Sequence, residues 1–169
     1  MRTKLSSAFL AILFMAVFAS SAAASGFAII EHSVSGLGNS FAGVAASAED
    51  ATTVFFNPAG MTLLEGQQVT AGAHVILPSA EFTAETDAKN VVGGDIIGGD
   101  GGDGGQNAFV PNLYYTNKLN NQWSVGLGIN APFGLATEYD KDWVGRYHAV
   151  ESDVMTLNIN PSVAYRIND

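Results

Sequence analysis

Apolar and polar residues alternate along four stretches in the second part of the chain. The stretches are residues 68–83, 108–119, 123–133 and 154–168. The third is the clearest, because every second residue from Trp123 to Phe133 is apolar while serine, glycine, asparagine and proline lie between them. A period of two residues predicts β-strands whose two faces meet different surroundings. Each stretch reaches the roughly 9–11 residues that a tilted strand needs to cross a bilayer. We therefore predict an all-β chain.

The make-up of these strands and their connections favours a membrane barrel. The polar faces consist of Gly, Ser, Asn and Thr rather than Lys and Glu, which suits a barrel lumen. A tight turn at residues 119–122 alternates with long connections at 85–107 and 134–152, as is typical of outer-membrane barrels. Aromatic residues near the strand ends match an interfacial girdle: Trp123, Phe133 and Tyr165. Alternation alone also permits a secreted or surface β-sandwich that binds or adheres, and this alternative stays open.

Residues 26–61 have a different pattern and precede the strands. They are too rich in Gly, Ala and Ser to form a core of their own and too apolar for an exposed linker. We predict that this segment lies inside the wall formed by the later strands. Within it, residues 35–40 are expected to be flexible and residues 41–51 to include a short helix. Asn57 is expected to cap a helical turn over residues 59–64, with Pro58 at its first position.

The N-terminus predicts export from the cytoplasm. Arg2 and Lys4 precede an apolar run at residues 8–19, and small residues up to Ala24 supply a cleavage site. This order is that of a secretory signal peptide, and the apolar run is shorter than the roughly 20 residues of a spanning helix. We assign residues 1–24 to the signal peptide.

The composition excludes several classes of function. The formal net charge of −9 argues against nucleic acid, because binding there depends on neutralising phosphates with Lys and Arg. No Cys is present, so disulfides and thiolate metal sites are ruled out. His32, His74 and His148 are scattered, and none has a second ligand at helical spacing. A G-x-S-x-G nucleophile motif is also missing. We expect no enzyme, no metal and no cofactor.

The two long connections contain further candidate chemistry. Residues 93–105 hold Asp95, Asp100 and Asp103 among glycines, which partly matches a calcium-binding repeat. The match is unrepeated and three carboxylates fall short of the six to eight oxygens that calcium prefers, so an acidic loop without metal is favoured. Residues 143–148 contain aromatic side chains and one Arg. Two interpretations stay open: these side chains contact lipid headgroups or an amphipathic ligand, or they pack against the rim of the barrel. For Glu49 and Asp50 we expect a hydrogen-bonding or helix-end role.

Several of these segments resemble one family in the same order along the chain. The matching segments are Gly26-Phe27, Ser35-Gly36-Leu37-Gly38, the Ala/Gly run to Glu49-Asp50-Ala51, Asn57-Pro58-Ala59, residues 134–138 and residues 155–166. Together they are similar to the FadL/TodX family of outer-membrane transporters for long-chain fatty acids and aromatic hydrocarbons. The resemblance covers essentially the whole chain after the signal peptide.

The resemblance implies a fold and a function. It implies a barrel of about fourteen antiparallel strands, of which residues 67–169 supply about the first four. Residues 25–66 then form a plug, or hatch, within it. Four strands cannot close a spanning barrel, so we expect the sequence to be the first part of a longer protein. The implied function is passive, plug-gated uptake of hydrophobic compounds across the outer membrane; a general porin for polar solutes is less consistent with an apolar plug.

The resemblance implies that Asn57, Pro58 and Ala59 lie in the plug. With Gly60 they form the plug and gate motif that we predict. Our candidate contacts of a hydrophobic ligand, if the chain is such a transporter, are Phe27, Ile29, Ile30 and Phe41. The expected partners are hydrophobic small molecules and outer-membrane lipids, and the expected barrel is monomeric.

Overall fold

A computed structural model describes residues 28–84, 89 and 93–168, in which six β-strands dominate. The strands are β1 (Gln67–Ile76), β2 (Ala108–Lys118), β3 (Trp123–Asn130), β4 (Gly134–Glu138), β5 (Glu151–Met155) and β6 (Asn158–Tyr165). Four of them form an antiparallel sheet in the order β1-β2-β3-β6, while β4 and β5 form a separate hairpin. The all-β prediction is confirmed. The predicted signal peptide and Phe27 lie outside the described residues.

The strand ends differ from those predicted. Strand β1 ends at Ile76 and β3 ends at Asn130, each two residues before a proline, whereas Pro111 and Pro161 lie inside β2 and β6. The predicted strand 154–168 is two strands separated at Thr156, whose hydroxyl bonds the backbone of Phe133. The predicted long connection 134–152 contains β4 and the start of β5.

The segment before the sheet contains short helices. They are α1 (Val34–Gly38), α2 (Val44–Ser47), α3 (Thr53–Phe56) and a 3₁₀ helix (Pro58–Leu63). The prediction of a flexible stretch at residues 35–40 is wrong, because the Ser33 hydroxyl accepts a hydrogen bond from the Gly36 N–H and starts α1. The short helix expected within residues 41–51 is α2. In the part of the chain that the structure describes, every helix is too short or too polar to span a membrane.

The main sheet is apolar on its exposed face and polar on its covered face. The exposed face carries large apolar side chains, of which Val69, Val75, Phe109, Ile159 and Val163 are each more than 60% exposed. The opposite face holds polar side chains that are almost fully buried: Asn112, Thr116, Ser124 and Asn130. Water-soluble sheets distribute polarity the other way, whereas strands of a membrane barrel are apolar outwards and polar inwards.

The polar face is covered by residues 28–66, which we call the N-terminal segment. Its buried Ala51, Val54 and Met61 form a small core with Tyr114 of β2 and Ala164 of β6. Close approach depends on Gly126 of β3, where an added Cβ would lie 2.5 Å from the Met61 sulfur and 2.8 Å from Val54 Cγ2. Small residues on this face of the strands therefore allow the N-terminal segment to pack closely against the sheet.

Candidate ligand-binding groove

The sheet opens between β2 and β3 at one end. Pairing of these strands runs from Lys118 opposite Ser124 up to Leu113 opposite Ile129. Residues 108–112 of β2 continue beyond that point and pair with β1 alone among the named strands. The N-terminal segment meets the chain just after β3, where the Ile29 N–H donates to the Pro132 carbonyl. The wall therefore separates at the end that carries the long connections.

A groove of about 680 Å³ lies at this opening. Its lining is mostly aliphatic and aromatic and comes from the ends of β1, β2 and β3, the β4–β5 hairpin and the N-terminal segment. The main apolar contributors are Ile29, Ile76, Phe109, Val110, Leu113, Ile129, Phe133, Leu135, Val154, Met155 and Leu157. A volume in this range matches typical small-molecule sites, which are concave and largely apolar.

The structure places one of the predicted ligand contacts in this groove. Ile29 lines it, while Ile30 is 60% exposed and lies outside the lining. Phe41 packs instead on Phe56 within the N-terminal segment, with ring centroids 5.8 Å apart. Phe27 lies outside the described residues. Contact of these residues with a ligand stays a prediction. Among Ile29, Ile30 and Phe41, Ile29 is the residue that lines the groove.

Most residues of the groove were missed by sequence reasoning. Phe133 was assigned to an aromatic girdle at a strand end, but it lines the groove beside Ile29. Leu135 and Val154 belong to β4 and β5, a hairpin for which the sequence predicted mainly a loop. The apolar residues Ile129, Phe133 and Leu135 fall on every second position, so the sequence pattern did not distinguish them from a lipid-facing strand face.

Hydrogen bonds from the strands hold the N-terminal segment by its backbone carbonyls. The Tyr114 hydroxyl donates to the His32 carbonyl at 2.9 Å, and Asn160 Nδ2 donates to the Val54 carbonyl at 3.4 Å. The Arg166 guanidinium donates to the carbonyl of Thr62. Because each bond joins a wall side chain to a backbone carbonyl, these bonds do not depend on the side chains of the segment.

His32 is the exception, since its ring joins a buried polar network. Asn158 Nδ2 donates to Asn130 Oδ1 at 3.0 Å, which leaves the Asn130 Nδ2 to donate to His32 Nδ1 at 3.0 Å. The other side of the imidazole packs against Phe55, with ring centroids 4.2 Å apart. Burial lowers the pKa of His32 below its ordinary value of 6.5, against the raising effects of the Ile29 backbone and Glu31.

Docking of the N-terminal segment should therefore weaken in mild acid. The docked segment holds His32 neutral, so the released segment binds the extra proton. The contribution of His32 is complete above about pH 6.5 and falls as the pH drops through 6.5 towards the lowered pKa. We expect a protease to cleave the segment faster at pH 5.5 than at pH 7.5. In His32→Phe, which keeps the ring contact, this pH dependence should shrink. An undiminished pH dependence in this variant would show that another group causes it.

The Asn57-Pro58-Ala59-Gly60 motif forms a compact turn within the segment. Pro58 begins the 3₁₀ helix, as the sequence predicts, but the Asn57 side chain is not its cap. Asn57 Nδ2 donates instead to the Ala45 carbonyl at 2.8 Å, which ties the turn to α2. Gly60 is buried, and a Cβ there would lie 2.5 Å from Thr53 Oγ1. The motif therefore fixes how three short helices pack together.

Asp50 makes the hydrogen-bonding contacts expected of it. One carboxylate oxygen accepts from the Thr52 N–H at 2.8 Å and the Thr52 hydroxyl at 2.6 Å, while the other accepts from Ser35 at 2.8 Å. Burial raises the pKa of Asp50, but the bonds from Thr52 and Ser35 outweigh it and the net pKa is lowered. The carboxylate joins α1 to the start of α3.

The aspartates of residues 93–105 form hydrogen bonds and an ion pair within the connection between β1 and β2. Asp103 accepts from the N–H groups of Ala80 and Gly105, which lower its pKa, and Asp95 pairs with Lys89 at 2.7 Å. In the other long connection Trp143 stacks on Tyr139 with centroids 4.2 Å apart and meets Phe82 edge-on. Among the described residues no three His, Cys, Asp or Glu side chains are grouped for a metal ion.

Comparison with known proteins decides the family. A sequence model of the family described as outer membrane protein transport protein (OMPP1/FadL/TodX) matches residues 15–169. The chain belongs to this family. The predicted family membership and outer-membrane localisation are thereby confirmed.

Named relatives of this chain agree with this assignment. The long-chain fatty acid transport protein of Escherichia coli O6:H1 (strain CFT073) is 33% identical over 162 residues, covering 92% of this chain and 33% of the relative. Outer membrane protein P1 of Haemophilus influenzae is 34% identical over 176 residues, covering 92% and 36%. The chain spans about a third of the length of the curated relatives it matches.

A solved structure shares the fold. The crystal structure of a Pseudomonas aeruginosa FadL homologue superposes with a TM-score of 0.66 at 24% sequence identity. The superposition covers 86% of this chain and 35% of the homologue. The chain therefore shares its fold with part of this FadL homologue.

Proposed function

We propose that the complete protein is an outer-membrane channel for the passive uptake of hydrophobic compounds, such as long-chain fatty acids or aromatic hydrocarbons. In this proposal residues 25–66 are a plug inside a monomeric barrel of about fourteen strands, and residues 67–169 supply its first strands. The exposed apolar face of the sheet contacts outer-membrane lipid. The proposal assigns the protein no chemical step and no cofactor.

The groove is the observation that carries this proposal. It is apolar, it lies where β2 and β3 separate, and Ile29 of the N-terminal segment forms part of its lining. A hydrophobic solute that enters it gains about 0.8 kcal/mol for each methylene group buried. Because Ile29 belongs to the segment that covers the polar face, a ligand in the groove contacts that segment directly and can displace it.

Membership in an outer-membrane family counts against the secreted β-sandwich. The covered polar face of the sheet also differs from a sandwich, whose inner face is its apolar core. A general porin is the remaining rival, and it differs in a measurable way, since it admits sugars as readily as hydrophobic solutes.

A large side chain in the groove should reduce the uptake of hydrophobic solutes. Ala136 of β4 lines the groove, and Ala136→Trp places a large side chain there. We expect uptake of labelled oleate and toluene to fall about threefold to tenfold, which corresponds to about 1 kcal/mol of lost apolar burial. Ala73→Trp is the matched control, because Ala73 lies on the exposed face of β1. Fractionation and a heat-modifiability gel confirm that both variants reach the outer membrane. Unchanged uptake in Ala136→Trp would contradict the proposal, as would swelling of liposomes by sugars at porin rates.

A further inference from the structure

The backbone between α1 and α2 adopts an unfavourable conformation. Among the described residues other than glycine, those with a positive φ are Ser40 at 57°, Phe41 at 58° and Ala48 at 45°. A Cβ atom is crowded in this left-handed region, which disfavours the conformation by about fivefold to thirtyfold per residue. Ser40 and Phe41 are adjacent, although left-handed residues normally occur singly. We call residues 39–43 the strained connection.

The end of helix α1 imposes this conformation on Ser40. The Phe41 N–H donates to the Gly36 carbonyl at 2.7 Å, and the Ser40 N–H donates to the Leu37 carbonyl at 3.1 Å. These two bonds define a Schellman motif, in which the left-handed residue is usually glycine. Ser40 occupies that position here and is exposed, so burial of its side chain does not offset the strain.

The ring of Phe41 holds the strained connection in place. It packs on Phe56 of α3, with ring centroids 5.8 Å apart. It also lies over Gly36, where an added Cβ would be 2.8 Å from Phe41 Cδ1. The absent side chain at Gly36 thus provides the space that the ring fills. Because the ring joins α1 to α3 across the strained connection, its contacts offset the backbone strain.

The strained connection joins two parts of the N-terminal segment that the sheet holds in different ways. Residues 28–38, the leading part, are held by hydrogen bonds from Tyr114 and Asn130 to His32. The large apolar side chains that this part leaves exposed are Ile30, Val34 and Leu37. Residues 44–66, the core part, contribute the completely buried side chains Ala51, Val54 and Met61. A region with few buried apolar contacts opens at a lower free energy, so the leading part is the easier one to release.

We propose that the strained connection is a joint at which the leading part separates from the sheet while the core part stays docked. The inference deepens the proposed plug and rests on that function for its effect on uptake. Separation relieves the strain, so it needs less free energy than the contacts of the leading part alone would require. It breaks the exposed hydrogen bond from Ser35 to Asp50, which water readily replaces. Ile29, which lines the groove, belongs to the part that moves.

Hydrogen–deuterium exchange of the complete protein tests this joint, with residues 28–38 and 50–63 followed as separate peptides. Ser40→Gly removes the crowded Cβ, whereas Ser40→Ala keeps it. Residues 28–38 should exchange about twofold to fivefold more slowly in Ser40→Gly than in Ser40→Ala, a gain reduced by the extra freedom of glycine in the released chain. Asn39→Gly, at a φ of −114°, adds that freedom without relieving strain and should not slow exchange.

A second variant tests the contribution of the aromatic ring. Phe41→Ala removes the ring but keeps the Cβ and its strain, so residues 28–38 should exchange about fivefold to tenfold faster. Residues 50–63 should change far less, and adding Ser40→Gly should restore part of the protection. Equal acceleration of both peptides would show that the segment moves as one body and would overturn the joint. Identical exchange in Ser40→Gly and Ser40→Ala would overturn it as well, and neither of these two variants removes a packing contact of the ring.

Uptake of labelled oleate by the same variants, at matched surface abundance, tests the proposed function separately. If the segment gates the channel, Ser40→Gly should take up oleate about twofold to fivefold more slowly than Ser40→Ala, in proportion to the exchange rates. Slower exchange with unchanged uptake would support the joint and contradict gating by the segment.

Discussion

Replacing Gly126 with valine is expected to release the N-terminal segment from the sheet and, in the proposed plugged barrel, to admit small solutes. A Cβ at this position would lie 2.5 Å from the Met61 sulfur, 2.8 Å from Val54 Cγ2 and 3.1 Å from the Tyr115 carbonyl oxygen. Val54 and Met61 are completely buried, so neither has free space into which to withdraw. Valine itself suits a strand, so the strain falls on the contact and not on β3.

The size of this effect follows from the cost of overpacking. Forcing extra methyl groups into a filled core costs about 1–3 kcal/mol, which raises the released population by about fivefold to 150-fold. The rate at which liposomes containing the complete protein swell in a sugar solution measures that population. Leu127→Val, on the exposed face of the same strand, is the matched control and should swell at the original rate.

A second substitution tests whether the contact itself is responsible. Met61→Ala removes the sulfur that the new side chain meets, so Gly126→Val with Met61→Ala should swell less than Gly126→Val alone. Two findings would contradict the packing argument: original swelling in a correctly folded Gly126→Val protein, or no recovery in the double variant.

The double substitution Asn57→Ala with Pro58→Ala is expected to raise oleate uptake at unchanged surface abundance. It removes the bond from Asn57 Nδ2 to the Ala45 carbonyl and the fixed φ of the first 3₁₀ residue. The lost hydrogen bond is worth about 0.5–1.5 kcal/mol and the lost proline rigidity adds to it. If the segment gates the channel, a less rigid segment moves aside more often, and uptake rises about threefold to tenfold.

The control for this variant lies in the same segment. Asn39→Ala removes an exposed asparagine from the end of α1 and should leave uptake unchanged. Surface abundance is measured by labelling intact cells, and the heat-modifiability gel reports the fold. Normal uptake in the Asn57 and Pro58 double variant would contradict a role of this motif in gating.

Alternation predicted the strands well because burial of one face imposes it directly. β3 begins at Trp123 as predicted, and β2 differs from its prediction by one residue at Lys118. The polar face was also predictable, since Ser, Gly and Asn in a strand indicate close packing or a wet interior. These properties depend on the two faces of each strand and on nothing distant in the chain.

The groove depends on distant contacts and was therefore harder to predict. The split at Thr156 arises because its hydroxyl bonds the Phe133 backbone, 23 residues earlier, and the alternating pattern runs through that split without a break. Helix α1 was missed for a different reason. Its glycines, Gly36 and Gly38, disfavour a helix and so indicate a flexible stretch. The Ser33 hydroxyl, which caps the helix and offsets that cost, is a single side chain and gives only a weak sequence signal.

The bonds that hold the N-terminal segment span long distances along the chain. Tyr114 bonds a residue 82 positions earlier, Asn130 one 98 earlier and Asn160 one 106 earlier. The N-terminal segment precedes, along the chain, every strand that supplies these partners. Non-local contacts of this kind form late, because the loop between the partners must first close. The segment is consequently synthesised before these strands but is among the last parts of the chain to acquire its native contacts.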